Sequence, residues 1–150
     1  MKVIADASAI ISAIDDQEPF HEECLATLDD SSVRLVTPLV VAEVSYLLLR
    51  AGDVAAACAF LRDVEVGYYT IANPTSVEYG IAADLLEKYD GTFSRKRAKR
   101  GTLDSPDAFN VVVAAREATK MTVTLDHDYR QVKPLIGFGH FTLLPYDASP

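Results

Sequence analysis

Short apolar runs alternate with longer amphipathic ones along this chain. Lys2-Val3-Ile4-Ala5 is brief and closed by Asp6, the mark of a buried strand, and Ala7 to Ile11 then takes on helical character. From Glu18 to Leu28, entered through Pro19, the residues Phe20, Cys24, Leu25 and Leu28 recur every three or four positions and predict a helix. Val33 to Val36 alternates and ends at Thr37-Pro38, predicting a strand that feeds a helix over Leu39 to Leu49 with Gly52 as its stop. Asp53 is the predicted N-cap of a helix over Val54 to Asp63, and Val66 to Ile71 has the β-branched and aromatic content of a strand before Asn73-Pro74.

Val77, Ile81 and Leu85 then mark a helix over Ser76 to Lys88, followed by a turn at Asp90-Gly91. The basic segment up to Gly101 has no hydrophobic period and reads as a loop or a helical extension. Ser105 is the predicted N-cap, with Pro106 at the first helical position, of a helix running to about Thr119. Met121 to Thr124 predicts a strand ending at Leu125-Asp126, Tyr129 to Val132 a short helical turn, and Phe141 to Leu144 a last strand. Strands that alternate with helices call for an α/β sandwich of three layers, a mostly parallel sheet between helices.

At 150 residues, with no repeat and no Pro-, Gly- or Ser-rich linker, residues 1–150 are expected to form one domain. The hydrophobic fraction of 49% is ordinary for a globular protein, and no apolar stretch reaches the ~18 residues of a membrane span. Without a signal-peptide pattern the expected location is the cytoplasm. Cys24 and Cys58 lie in helical patterns with neither CxxC spacing nor a nearby His, so they are expected as reduced core thiols; His21, His127 and His140 lack zinc-site spacing. A net charge of −8 argues against a surface that attracts nucleic acid everywhere. Arg95, Lys96, Arg97, Lys99 and Arg100 nevertheless concentrate positive charge in one short stretch, which is either a solvated face or an arm that contacts phosphates.

The placement of carboxylates carries the candidate chemistry. In an open parallel sheet the ligand crevice lies beyond the carboxyl ends of the strands, where the following helices begin. Asp6 and Asp126 end strands, Asp107 sits in the first turn of a helix, and Glu43 lies about a turn into the helix after the second strand. Each alone has a duller reading: Asp6 as a cap, Asp107 as a complement to the helix dipole, Asp126 and Asp128 as a polar turn. Four on one rim would repel one another strongly unless a cation lay among them. An oxygen-only donor set suits Mg²⁺ or Mn²⁺ rather than zinc. Such ions serve phosphodiester cleavage by activating water and steadying the leaving oxygen.

These residues also resemble a known family. Ile4-Ala5-Asp6-Ala7-Ser8, Pro38 to Val44, Ser105-Pro106-Asp107-Ala108-Phe109 with Ala114-Ala115, and Val123 to Tyr129 are similar, in order, to the four motif regions of PIN-domain ribonucleases. Length and spacing look most like the VapC-type toxins of toxin–antitoxin modules, and the resemblance spans residue 1 to about residue 145. It implies a PIN-like α/β/α fold and a metal-dependent endoribonuclease with Asp6, Glu43, Asp107 and Asp126 as the acidic cluster around Mg²⁺ or Mn²⁺. Asp128 would share or replace the part of Asp126. Ser8, Thr124 and Asn110 would be polar neighbours in reach of water or substrate, and Asp104 an outer or capping residue.

The resemblance further implies an RNA substrate, a cognate antitoxin that docks a peptide into the cleft, and a homodimer through the apolar helices around Leu39 to Leu49 and Val54 to Leu61. The basic stretch matches none of the family's motifs and is expected to guide RNA phosphates toward an otherwise acidic body. Two alternatives stay open: RNA processing without a toxin role, and a non-catalytic RNA- or protein-binding module with a vestigial site. An aspartyl-nucleophile phosphatase would want an Asp where Ser8 stands. No GxxxxGK[ST] or GxGxxG loop points to nucleotide hydrolysis or dinucleotide binding.

Overall fold

A computed structural model describes residues 1–92 and 103–148, so the basic stretch Arg95 to Arg100 lies outside the described residues. Five strands form one sheet: β1 (Lys2–Ala5), β2 (Val33–Val36), β3 (Thr70–Ile71), β4 (Met121–Val123) and β5 (Thr142–Leu144), in the order β3-β2-β1-β4-β5. All four pairings are parallel. Six α-helices connect them: α1 (Ala7–Ile14), α2 (His21–Asp29), α3 (Pro38–Arg50), α4 (Val54–Glu65), α5 (Ser76–Lys88) and α6 (Ser105–Arg116). A 3₁₀ turn spans His127–Arg130.

The two-residue period of the strands sorts the core into two layers. Val3 and Ala5 of β1, with Val36, Val123 and Leu144, pack against residues of α1 to α4; Ile4, Leu35 and Leu143 face the other way, into α5 and α6. The α/β/α sandwich expected from the alternation is therefore present. Helix α6 is buried from Asp107 to Ala114, packed against α5, α3 and β1. That enclosure is why its apolar residues run together instead of falling on one face.

Several boundaries differ from those expected: α2 starts at His21 rather than Glu18, α4 runs on to Glu65, and the turn expected over Tyr129 to Val132 falls at His127–Arg130; Cys24 is buried as expected, but Cys58 is exposed. Three further differences have a visible cause. The strand expected over Val66 to Ile71 shrinks to Thr70–Ile71. Val66 caps α4, Gly67 takes φ +83°, Tyr68 donates its hydroxyl to Asp29 while lying under the Arg34 guanidinium, and Tyr69 packs edge-on against Phe60. The tyrosines thus anchor the sheet edge to α2 and α4. Helix α6 stops at Arg116 because Ala118 adopts φ +51°, and the Thr119 and Ala118 N–H groups bond back to the carbonyls of Ala114 and Ala115. This is the paired closure typical of a left-handed helix stop. Asp104, not Ser105, caps α6: its carboxylate accepts from Asp107 N at 3.1 Å, which moves Ser105 and Pro106 one position into the helix.

Asp53 caps α4 as expected, accepting from Ala56 N at 2.8 Å on the exposed surface. Asp53→Ala should cost about 1 kcal/mol, a loss of roughly 2–4 °C in melting temperature for a chain of this size; calorimetry checks it, and an unchanged transition would show that water replaces the cap. No helix among the described residues is long and apolar enough to cross a membrane.

Candidate active site

The strand order sets the position of the site. The chain runs outward from β1 through β2 to β3, then returns to lay β4 on the other side of β1. A crevice opens where the winding reverses, between the carboxyl ends of β1 and β4. Asp6 follows β1 directly, and its backbone N–H donates to Val123 O at 3.0 Å, tying it to the end of β4. Asp126 follows β4 by three residues. Thr37 starts α3 by accepting from Val40 N, which sets Glu43 one and a half turns into that helix. Asp104 and Asp107 stand at the start of α6.

These elements enclose a cavity of about 180 Å³ lined by Asp6, Ala7, Ser8, Glu43, Leu47, Asp104, Asp107 and Asp126. The four acids singled out in the sequence meet there, with Asp104 as a fifth and, among the described residues, no Lys, Arg or His in the lining. Asp128 does not line it. Its N–H instead donates to the Asp126 carboxylate at 2.8 Å, so Asp126 opens the 3₁₀ turn and faces the cavity at the same time. Among the described residues no group of three His, Cys, Asp or Glu side chains is gathered as a ready-made metal site. The acids stand around the cavity wall, as uncompensated charges should.

Polar side chains hold two of the acids from behind. Asp6 Oδ2 accepts from Ser8 Oγ at 2.6 Å and from Thr124 Oγ1 at 2.8 Å, and Asp6 Oδ1 accepts from Asn110 Nδ2 at 3.3 Å. Ser8 Oγ in turn accepts from Leu125 N and Thr124 Oγ1 from Asp126 N, both at 3.0 Å. Thr124 and Asn110 are 0% and 1% exposed. An expected substrate contact by these two gives way to a hold on Asp6, because neither side chain reaches solvent. Asp107 Oδ1 accepts from the Tyr129 hydroxyl at 2.8 Å. Sequence reasoning passed over Tyr129 as a site residue; the signal available was a phenol three residues beyond Asp126.

Electrostatics follow from burial. The Asp107 carboxyl is pushed up to about 9, first by burial, then by the charges of Asp6 and Asp104, with the Tyr129 hydrogen bond acting in the opposite direction. Burial also raises Asp6, against the lowering pull of Ser8 and Thr124. Glu43, half-buried, is raised by burial and by Asp104 and Asp6. A cavity walled by hard oxygen donors whose ionisation is resisted by their own neighbours has the chemistry of a divalent-cation site.

An α/β sandwich with acids collected at the winding reversal is the architecture of the PIN domain, and the PIN domain family matches residues 3–134 of this chain. The chain belongs to that family. It is 34% identical over 144 residues to Ribonuclease VapC26 of Mycobacterium tuberculosis, covering 95% of this chain and 100% of that protein. Among solved structures it resembles Mycobacterium tuberculosis VapC20, a Sarcin-Ricin loop cleaving toxin, with a TM-score of 0.69 and 16% identity over 85% of this chain and 92% of that one. It also resembles VapBC2 from Rickettsia felis bound to a DNA fragment from their promoter, with a TM-score of 0.62 and 16% identity over 91% and 96%.

Proposed function

We propose that this chain is a metal-dependent endoribonuclease, the toxin of a type II toxin–antitoxin module, acting in the cytoplasm as a single nuclease domain. The observation that carries the reading is the cavity in which Asp6, Glu43, Asp107 and Asp126 share one wall with no cationic side chain among the described residues; the 34% identity to a named ribonuclease supports the same activity. Mg²⁺ or Mn²⁺ is the proposed ion, held by Asp6, Asp107 and Asp126, with Asp128 outside the cavity and its N–H donating to the Asp126 carboxylate. Once bound, it would supply Lewis-acid activation of water and stabilisation of the leaving 3′-oxygen. The chain's own side chains do the rest. Ser8 and Thr124 orient Asp6, while Asp104 orients the start of α6. Glu43, half-buried with a raised carboxyl, is suited to accept the proton of the attacking water.

The proposed partners follow from surfaces beside the site. A cavity of about 380 Å³ shares Leu47 with the acid pocket and combines Ile11, Ile14, Leu48 and Ala51 with Asp15, Asp16 and Asp53. An apolar, basic antitoxin peptide fits that mixture, and an Arg from it could sit among the carboxylates where a cation is wanted. Tyr46 and Leu49 on α3, 60% and 52% exposed, with Val54 and Leu61 on α4, support the proposed homodimer.

Incubation with total cellular RNA and mapping of the new 5′ ends tests the activity: cleavage should need Mg²⁺ or Mn²⁺ and stop with EDTA, and cleavage undiminished by chelation overturns the reading. The basic stretch is proposed to contact RNA phosphates. Neutralising Arg95, Lys96, Arg97, Lys99 and Arg100 together should reduce the slope of log affinity against log salt by up to about 3.5, at ~0.7 per contact for single strands; an unchanged slope removes the segment from the RNA path.

A further inference from the structure

Beneath the acid cavity, two buried side chains that the chemistry above does not use form a polar link inside an apolar core. Asn110 lies one turn beyond Asp107 on α6, and Tyr129 sits in the 3₁₀ turn after β4; both are 1% exposed. Tyr129 belongs to a buried apolar cluster that includes Val111, Val113 and Phe141, and its ring packs edge-on against Phe141. A phenol and an amide in such a place are costly unless their hydrogen bonds are made.

Donor counting gives the link a direction. In the ionised form that holds a cation, the Asp107 carboxylate can only accept, so the Tyr129 O–H is then committed to Asp107 Oδ1 at 2.8 Å. The Tyr129 oxygen then accepts from Asn110 Nδ2 at 3.0 Å, and the second hydrogen of the same amide goes to Asp6 Oδ1 at 3.3 Å. Asn110 Oδ1 has no hydrogen-bond partner among the described residues. The amide thus leaves its own acceptor unsatisfied while both its donors are used toward Tyr129 and Asp6. Turning the amide over would set oxygen against oxygen at both contacts.

We propose that Tyr129 and Asn110 are positioning residues of the acid site, a buried Asp107–Tyr129–Asn110–Asp6 chain of hydrogen bonds that fixes the separation and rotation of the two acids from α6 and β1. Asp107 Oδ1 is held on the core side, which leaves Oδ2 as its oxygen available to the cavity. Asp6 is held at both oxygens, by Ser8 and Thr124 on one and Asn110 on the other. Donors behind a metal-binding carboxylate set its orientation, and their loss typically lowers metal affinity or activity 10- to 100-fold. Because the inference rests on the acid-site reading, the wild-type protein must first bind Mn²⁺ by itself.

The test is isothermal titration of Mn²⁺ into wild type, Tyr129→Phe, Asn110→Ala and the double variant, without RNA, beside a thermal melt of each ion-free protein. Tyr129→Phe keeps the ring and removes one oxygen, so the fold should persist while Mn²⁺ affinity falls about 10- to 100-fold. The double variant should lose little more than the worse single one, since both break the same chain. Equal Mn²⁺ affinity in wild type and Tyr129→Phe overturns the proposal, as do losses that multiply in the double variant. Absence of Mn²⁺ binding to wild type overturns the acid-site reading itself.

Discussion

Asp107→Asn is expected to abolish RNA cleavage and at the same time to stabilise the ion-free protein. The loss should be on the order of 10³-fold or more, because ion-assisted charge stabilisation amounts to several kcal/mol of the barrier and each 1.36 kcal/mol is about tenfold in rate. The gain in stability has a separate cause. Unfolded, Asp107 ionises near pH ~3.9; folded, it keeps its proton up to about 9 because of burial and the charges of Asp6 and Asp104. Between those values folding takes up a proton, so the contribution to stability is greatest below pH ~4 and is lost as pH rises toward 9.

An amide has no proton to take up, and it removes the charge from the cluster. Melting curves in EDTA at pH 5 and pH 8.5 should show a larger fall for wild type than for Asp107→Asn, with the variant the more stable at pH 8.5. Asp6 and Glu43 are shifted in the same direction and will leave a residual slope. Wild-type cleavage by Asp107→Asn would remove Asp107 from the mechanism. A melt at pH 8.5 no higher than wild type would mean that the carboxyl is not resisted by its surroundings.

Divalent ions should raise the melting temperature of the wild-type protein by roughly 5–10 °C at a concentration a hundredfold above the dissociation constant. Binding to the folded state alone contributes about 2.7 kcal/mol under that condition, and a chain of this length shifts by roughly 2–4 °C per kcal/mol. The ion also relieves the repulsion that keeps the cavity acids apart, so the effect should vanish in Asp6→Asn and Asp107→Asn. Parallel titrations with Mg²⁺ and Mn²⁺ rank the two, and EDTA reverses the shift. A melt that ignores both ions in the wild type would leave the five acids without a cation to serve.

Much of this architecture is written in short-range patterns. The strand ending at Asp6, the Thr37-Pro38 entry to α3, the Asp53 cap and the helix from Ser76 to Lys88 agree with the structure because each depends on neighbours within a turn. The convergence of Asp6, Glu43, Asp107 and Asp126 on one cavity was legible too, since parallel topology puts strand ends and helix starts on the same rim. What could not be read depends on distant partners. Val66 to Tyr69 have the composition of a strand, yet the two tyrosines are taken by Asp29, Arg34 and Phe60. Ser105 and Asp104 are nearly equal as caps by type, and which one serves is decided by where the Asp107 N–H falls. Tyr129 meets Asp107 and Asn110 because α6 brings them against it, and its place three residues beyond Asp126 hints at the site without revealing those contacts.

The parallel pairing of β1 with β4 joins residues 4–5 to residues 122–123. Asp6 leans on Val123 and Thr124, which emerge from the ribosome more than a hundred residues after it. A nascent or prematurely terminated chain that ends before β4 lacks Asp126, the Thr124 hydroxyl and the backbone acceptor for Asp6 together. On the proposed reading, the acid cavity is assembled only once β4 and the residues after it have been made, and a fragment lacking them should not cleave RNA.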